Sequence, residues 1–72
     1  MRKYMKLQAE LYVNNITQEQ LGEYLKRSSA YISLRMRGIY DWSQRDMYSI
    51  MDLLNIPYNL IFDYFPKEYK EA

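Results

Sequence analysis

Residues 17–38 read Thr17-Gln18-Glu19-Gln20-Leu21-Gly22-Glu23-Tyr24-Leu25-Lys26-Arg27-Ser28-Ser29-Ala30-Tyr31-Ile32-Ser33-Leu34-Arg35-Met36-Arg37-Gly38. Two short helices fit this run. Thr17 stands as an N-cap with Gln20 three residues on as its capping-box partner, and Ile16 and Leu21 are spaced as a hydrophobic staple, so a helix begins here and runs to about Leu25. Lys26-Arg27-Ser28 is a very short break. Ser28 can cap the next helix, whose Ile32 and Met36 face inward, and Gly38 stands where a left-handed residue would end it. Helices joined by so few residues must cross steeply, which leaves the second one protruding. Gly22 lets the two backbones approach, and Leu21, Leu25, Ile32 and Met36 supply their shared apolar contact. The other face of the second helix carries Ser28, Ser29, Ala30, Ser33, Leu34 and Arg37. It is thin enough to enter a major groove and carries groups able to touch base edges.

Outward from this pair, apolar residues recur at three and four rather than at two, so the chain reads as five helices. The first, about residues 3–13, sets Tyr4, Leu7 and Leu11 on one stripe and ends at Asn14-Asn15. The fourth repeats the start signal: Ser43 is the cap, Asp46 its third residue, and Trp42 and Met47 the staple. Met47, Ile50, Met51 and Leu54 line its inner face, and Asn55-Ile56-Pro57 breaks it. A fifth, roughly 58–64, offers Leu60, Ile61, Tyr64 and Phe65 before Pro66. Residues 67–72 form a charged tail expected to fray, which leaves a domain over 1–66.

The chain has 72 residues, 49% apolar, with two Gly and two Pro, enough for one hydrophobic core and no second. It has no His and no Cys. Structural zinc sites, thiol chemistry, disulfides and Ser-His catalysis are therefore excluded, and no metal, cofactor or enzymatic activity is expected. The longest uncharged stretch, Leu53 to Phe62, is too short and polar to span a membrane, and Met1-Arg2-Lys3-Tyr4 leads into no signal-peptide segment.

A net charge of +1 looks unpromising for a nucleic-acid binder, but it conceals a distribution. Residues 26–45 hold Lys26, Arg27, Arg35, Arg37 and Arg45 against Asp41 alone. Residues 46–72 are acidic, and residues 1–25 balance. Cations on a small domain usually form a solvated face; clustered beside one protruding helix, these point to phosphate.

The stretch from Thr17 to Gly38 resembles the helix-turn-helix of the lambda-repressor-like, Cro/Xre family. Trp42 to Pro57, followed by Tyr64-Phe65, is similar to the segment after the recognition helix in small phage and prophage members, so the likeness covers nearly the whole chain. The resemblance implies a compact, all-α, five-helix DNA-binding domain with its recognition helix at about 28–37. The implied function is sequence-specific binding of a double-stranded operator by a transcriptional regulator, a repressor or Cro-like protein, in the bacterial cytoplasm. Carried over by position, Gln18 is the glutamine that opens the second helix and touches phosphate. Ser28, Ser29, Ala30, Ser33, Leu34 and Arg37 fall on the DNA-facing positions. Two positions depart from the pattern. Lys26 replaces the usual turn glycine, so its backbone is either less strained or left-handed at a cost. Met36 replaces a frequent acidic residue, and its neighbour Arg35 is expected outside, near phosphate.

Lys26, Arg27, Arg35 and Arg45, with the hydroxyls of Tyr31 and Tyr40, complete the expected phosphate contacts. Tyr4, Tyr12, Tyr24, Tyr48 and Tyr64 are expected to lay their rings at the core edge with hydroxyls in water. Tyr58, Phe62, Tyr64 and Phe65 are too many aromatics for one short helix to bury, so Tyr58, Phe62 and Phe65 are assigned to a two-fold homodimer contact. The same fold could instead serve as a protein-interaction module, antitoxin-like or an anti-repressor partner, that binds through this aromatic C-terminal helix. Glu19 and Glu23 lie one turn apart on the solvent face of their helix.

Overall fold

The computed structural model describes residues 4–66. The tail at 67–72 and the first residue of the expected opening helix lie outside the described residues. The elements are α1 Met5–Val13, α2 Gln18–Leu25, α3 Ser29–Met36, α4 Gln44–Leu54, a 3-10 turn Tyr58–Leu60 and α5 Ile61–Tyr64, with no strand among the described residues. The chain is all-helical, as expected. The expected fifth helix is a 3-10 turn followed by a single α-helical turn, because Leu60, at φ −99° and ψ 14°, interrupts the helical path between them.

Three helices begin on a side-chain cap. Thr17 Oγ1 accepts the Gln20 amide at 3.1 Å while Gln20 Oε1 accepts the Thr17 amide at 3.0 Å, a closed capping box. Ser28 Oγ accepts from the amide of Tyr31 and Ser43 Oγ from that of Asp46, each at 3.1 Å. The stops are equally uniform. Asn15 (φ 59°), Lys26 (φ 61°), Gly38 (φ 80°) and Asn55 (φ 57°) all take left-handed backbone. The next amide then returns to the carbonyl five residues back: Ile16 to Leu11 at 2.9 Å, Arg27 to Gly22 at 2.7 Å, Ile39 to Leu34 at 3.0 Å and Ile56 to Met51 at 2.9 Å. Carbonyls that a helix end would leave orphaned are satisfied this way. Lys26 thus takes the left-handed alternative, and α4 stops at Asn55, two residues ahead of Pro57.

The core gathers one stripe from each longer helix: Leu7 and Leu11 from α1, Leu21 from α2, Ile32 and Met36 from α3, and Ile50, Met51 and Leu54 from α4. Aromatic rings close its ends. Phe65, 4% exposed, meets the rings of Tyr4 and Trp42 at 6.1 Å each, the latter edge-on. This corrects the assignment of Phe65 to a dimer contact: it is the core's C-terminal plug. Tyr4 is fully buried rather than at the core edge, whereas Tyr12 and Tyr24, at 82% and 48% exposure, lie outside it. Tyr12 follows Leu11 directly, about 100° round α1, and lies beside the stripe rather than on it.

The link from α2 to α3 is tight at one point. A Cβ built on Gly22 would lie 2.7 Å from the carbonyl oxygen of Arg27, a backbone atom that has no room to retreat. Gly22→Ala is expected to cost about 1–3 kcal/mol, as overpacking does, read as a fall in thermal midpoint. Lys26→Gly is expected to gain roughly 0.5–1 kcal/mol by relieving left-handed strain. The same change at Asn55 should gain less in the same melts, because Asn tolerates that backbone better.

Candidate nucleic-acid interface

Helix α3 buries Ile32 and Met36 and turns its other side outward. Ser28, Ser29, Ala30 and Arg37 are exposed, and Ser33 and Leu34 are half-buried. These six lie outside the buried Ile32–Met36 stripe, and α3 itself carries no carboxylate. Ser28 is also committed to its cap, which leaves Ser29 and Ser33 with the freer hydroxyls. Exposed Lys26, Arg27 and Arg45 line an open cleft of about 560 Å³ between the α2–α3 link and α4, together with Tyr24 and Asp46. Gln18, half-buried at the start of α2, lies in a different groove of about 360 Å³, whose wall includes Tyr12, Ile16 and Met36. Met36 ends α3, so the candidates flank that helix at both of its ends.

Beneath the cations lies a group whose sequence position marks only a helix start. Asp46, 4% exposed, is the one charged residue that the described part of the chain buries. Tyr31 donates its hydroxyl to Asp46 Oδ2 at 2.6 Å, and the Arg27 guanidinium stands 3.7 Å from Oδ1. A buried charge needs such partners, because desolvation is repaid only by close ionic and hydrogen-bonding contacts. The sequence did hold a signal for this. Asp46 lies four residues after Trp42, four before Ile50 and eight before Leu54, on a stripe whose other members are all buried.

One phosphate assignment falls, and a second keeps its residue but changes its placement. The hydroxyl of Tyr31 is spent on Asp46 rather than aimed outward. Arg35, expected outside, is half-buried: its guanidinium stacks 3.5 Å from the Tyr31 ring centroid, with its Nε buried and without a hydrogen-bond partner. The reason is helical spacing, since a side chain four residues on lies back over its predecessor. The Arg27 guanidinium sits 4.6 Å from the same ring, and the exposed Tyr40 ring lies 5.3 Å from that of Arg35.

On the remaining surface, Tyr58 and Phe62 are 51% and 55% exposed. Tyr58 packs edge-on against Tyr48 at 4.8 Å and donates its hydroxyl to Asp52 at 2.6 Å. No helix among the described residues is long and apolar enough to cross a membrane, and no group of three metal-ligating side chains occurs among them. Comparison with protein-family models, with curated proteins and with solved structures finds no match to this chain.

The Tyr31 phenol is held above its ordinary pKa, chiefly by its hydrogen bond to Asp46 and then by burial and the Asp46 charge; the nearby Arg35 and Arg27 pull the other way. A group whose pKa is raised on folding contributes stability that is complete below its unfolded value, about 10, and is lost as pH climbs through the folded value. Wild-type stability should therefore fall more steeply above about pH 10 than that of Tyr31→Phe. At pH 7 the variant should be weaker by about 1–2 kcal/mol. Parallel alkaline limbs in denaturant titrations of the two proteins would refute this.

Proposed function

We propose that the protein is a helix-turn-helix regulator of the lambda-repressor-like type, of phage or prophage character, that binds double-stranded DNA with α3 in the major groove. The reading rests on one observation: an outward helix face of small and hydroxyl-bearing residues, free of acid, with cations at its borders. Base contact falls to Ser29, Ala30, Ser33, Leu34 and Arg37, the hydroxyls hydrogen-bonding base edges and Leu34 meeting a thymine methyl. Lys26, Arg27, Arg35, Arg45 and Gln18 contact phosphate, Arg35 from its stacked place over the Tyr31 ring, which sets orientation without reading sequence. Regulation follows by occupancy of a promoter, through occlusion or recruitment, and no bond is made or broken. Exposed Tyr58 and Phe62 pair two copies on half-sites about one helical turn apart. Those same two side chains also support a second reading, in which the aromatic face binds a different protein.

The test is a selection from randomised duplexes followed by gel-shift titration over salt. With roughly 4–6 phosphate contacts per subunit, affinity should fall steeply as salt rises. Arg37→Ala should weaken binding to the selected sequence by roughly ten- to a hundredfold and relax preference at one base position. An undiminished Arg37→Ala titration would remove α3 from the groove. Absence of any salt-sensitive duplex binding, with co-purification of a protein lost in Phe62→Ala, would favour the second reading.

A further inference from the structure

Two guanidinium groups converge on one phenol ring, and a single carboxylate stands behind it. Arg35 lies 3.5 Å and Arg27 4.6 Å from the centroid of Tyr31, while Asp46 receives the Tyr31 hydroxyl at 2.6 Å and pairs with Arg27 at 3.7 Å. Lys26 and Arg45 line the same cleft as Arg27 and Asp46. Cations therefore outnumber the carboxylate around this seam. Two like charges held over one ring repel each other, and the arrangement is most favourable when an anion comes near. Arg35 is also under-satisfied: its Nε has no partner, and its Nη1 reaches the Tyr31 carbonyl only at 3.4 Å.

We propose that Tyr31 and Asp46 are positioning residues which hold Arg27 and Arg35 ready for the phosphates of the bound strand. The inference rests on the DNA-binding reading and extends it to residues that touch no DNA. Asp46 is fixed because its amide is the one that Ser43 caps at the start of α4. It fixes the Tyr31 hydroxyl in turn. A phenol donating to a carboxylate gains electron density in its ring, which strengthens the attraction for a cation stacked above it. The ring thus serves as a shelf on which one arginine from the α2–α3 link and one from α3 lie before DNA arrives. Long side chains held in place in the free protein lose less conformational freedom on binding, so the benefit appears as affinity.

Tyr31→Phe keeps the ring and its volume and removes only the tether to Asp46. On a random-sequence duplex, with circular dichroism to show that each variant is folded, it should bind roughly three- to tenfold more weakly than wild type. Arginines no longer held beside the strand make fewer persistent phosphate contacts, so the slope of log affinity against log salt should become shallower by about 1–2. Added to Arg27→Ala/Arg35→Ala it should change neither quantity further, because residues acting through one another are not additive. In protein labelled with 15N, the Arg35 Nε–H resonance should exchange slowly with water in wild type and faster in Tyr31→Leu. A purely structural tyrosine would lower the melting temperature and leave the salt slope of the folded fraction unchanged. That outcome, with Arg35→Ala still weakening binding, overturns the positioning proposal and leaves DNA binding standing. Wild-type protein that binds no duplex even at low salt overturns both.

Discussion

No atom fits between Gly22 and the carbonyl oxygen of Arg27, and the placement of α3 depends on that contact. With the two backbones this close, the chain must turn within a few residues. Lys26 is driven into left-handed backbone, and the Arg27 amide closes onto the Gly22 carbonyl at 2.7 Å. Ser28 then falls where it can cap α3, and Ile32 is delivered to the core. Each later feature of the surface inherits this turn: the outward direction of Ser29, Ser33 and Arg37, and the reach of Arg27 to α4. A side chain at position 22 would not merely crowd the core. It would change the direction of α3.

A second constraint joins the opposite side of α3 to α4. Burying Asp46 is costly unless its oxygens are occupied, and Tyr31 and Arg27 occupy them from α3 and from the link. The carboxylate therefore defines the spacing of three segments at once. A polar contact of this kind fixes one arrangement among several that an apolar seam of similar area would tolerate. It offsets only part of the local positive charge carried by Lys26, Arg27, Arg35 and Arg45.

Much of this was readable in the sequence because it is local. Thr17 with Gln20, and Ser43 with Asp46, announce helix starts through groups three residues apart, and Asn15 and Gly38 announce stops through their own backbone preference. The apolar stripes of α1, α3 and α4 were readable for the same reason. What escaped depends on separations that spacing does not encode. The Tyr31–Asp46 bond spans fifteen residues, and it fixes the ring over which Arg35 lies. Four aromatics look too many for one short helix to bury, which points Phe65 outward, yet its ring reaches the gap between Tyr4 and Trp42. The stop at Lys26 has no local signal, since lysine has no preference for left-handed backbone and only the tight turn imposes it.

The uniform helix ends bear on how the chain finds its shape. Since start and stop are each written within a few neighbouring residues, helical segments of correct length can flicker into existence in the unfolded ensemble before any of them has docked. Little of the search is then spent on deciding where segments end, and what remains is mostly the meeting of ready-made rods, a route typical of rapidly folding helical proteins. The slow event left over is the one with the largest loop to close: bringing the ring of Phe65 back across the chain to that of Tyr4.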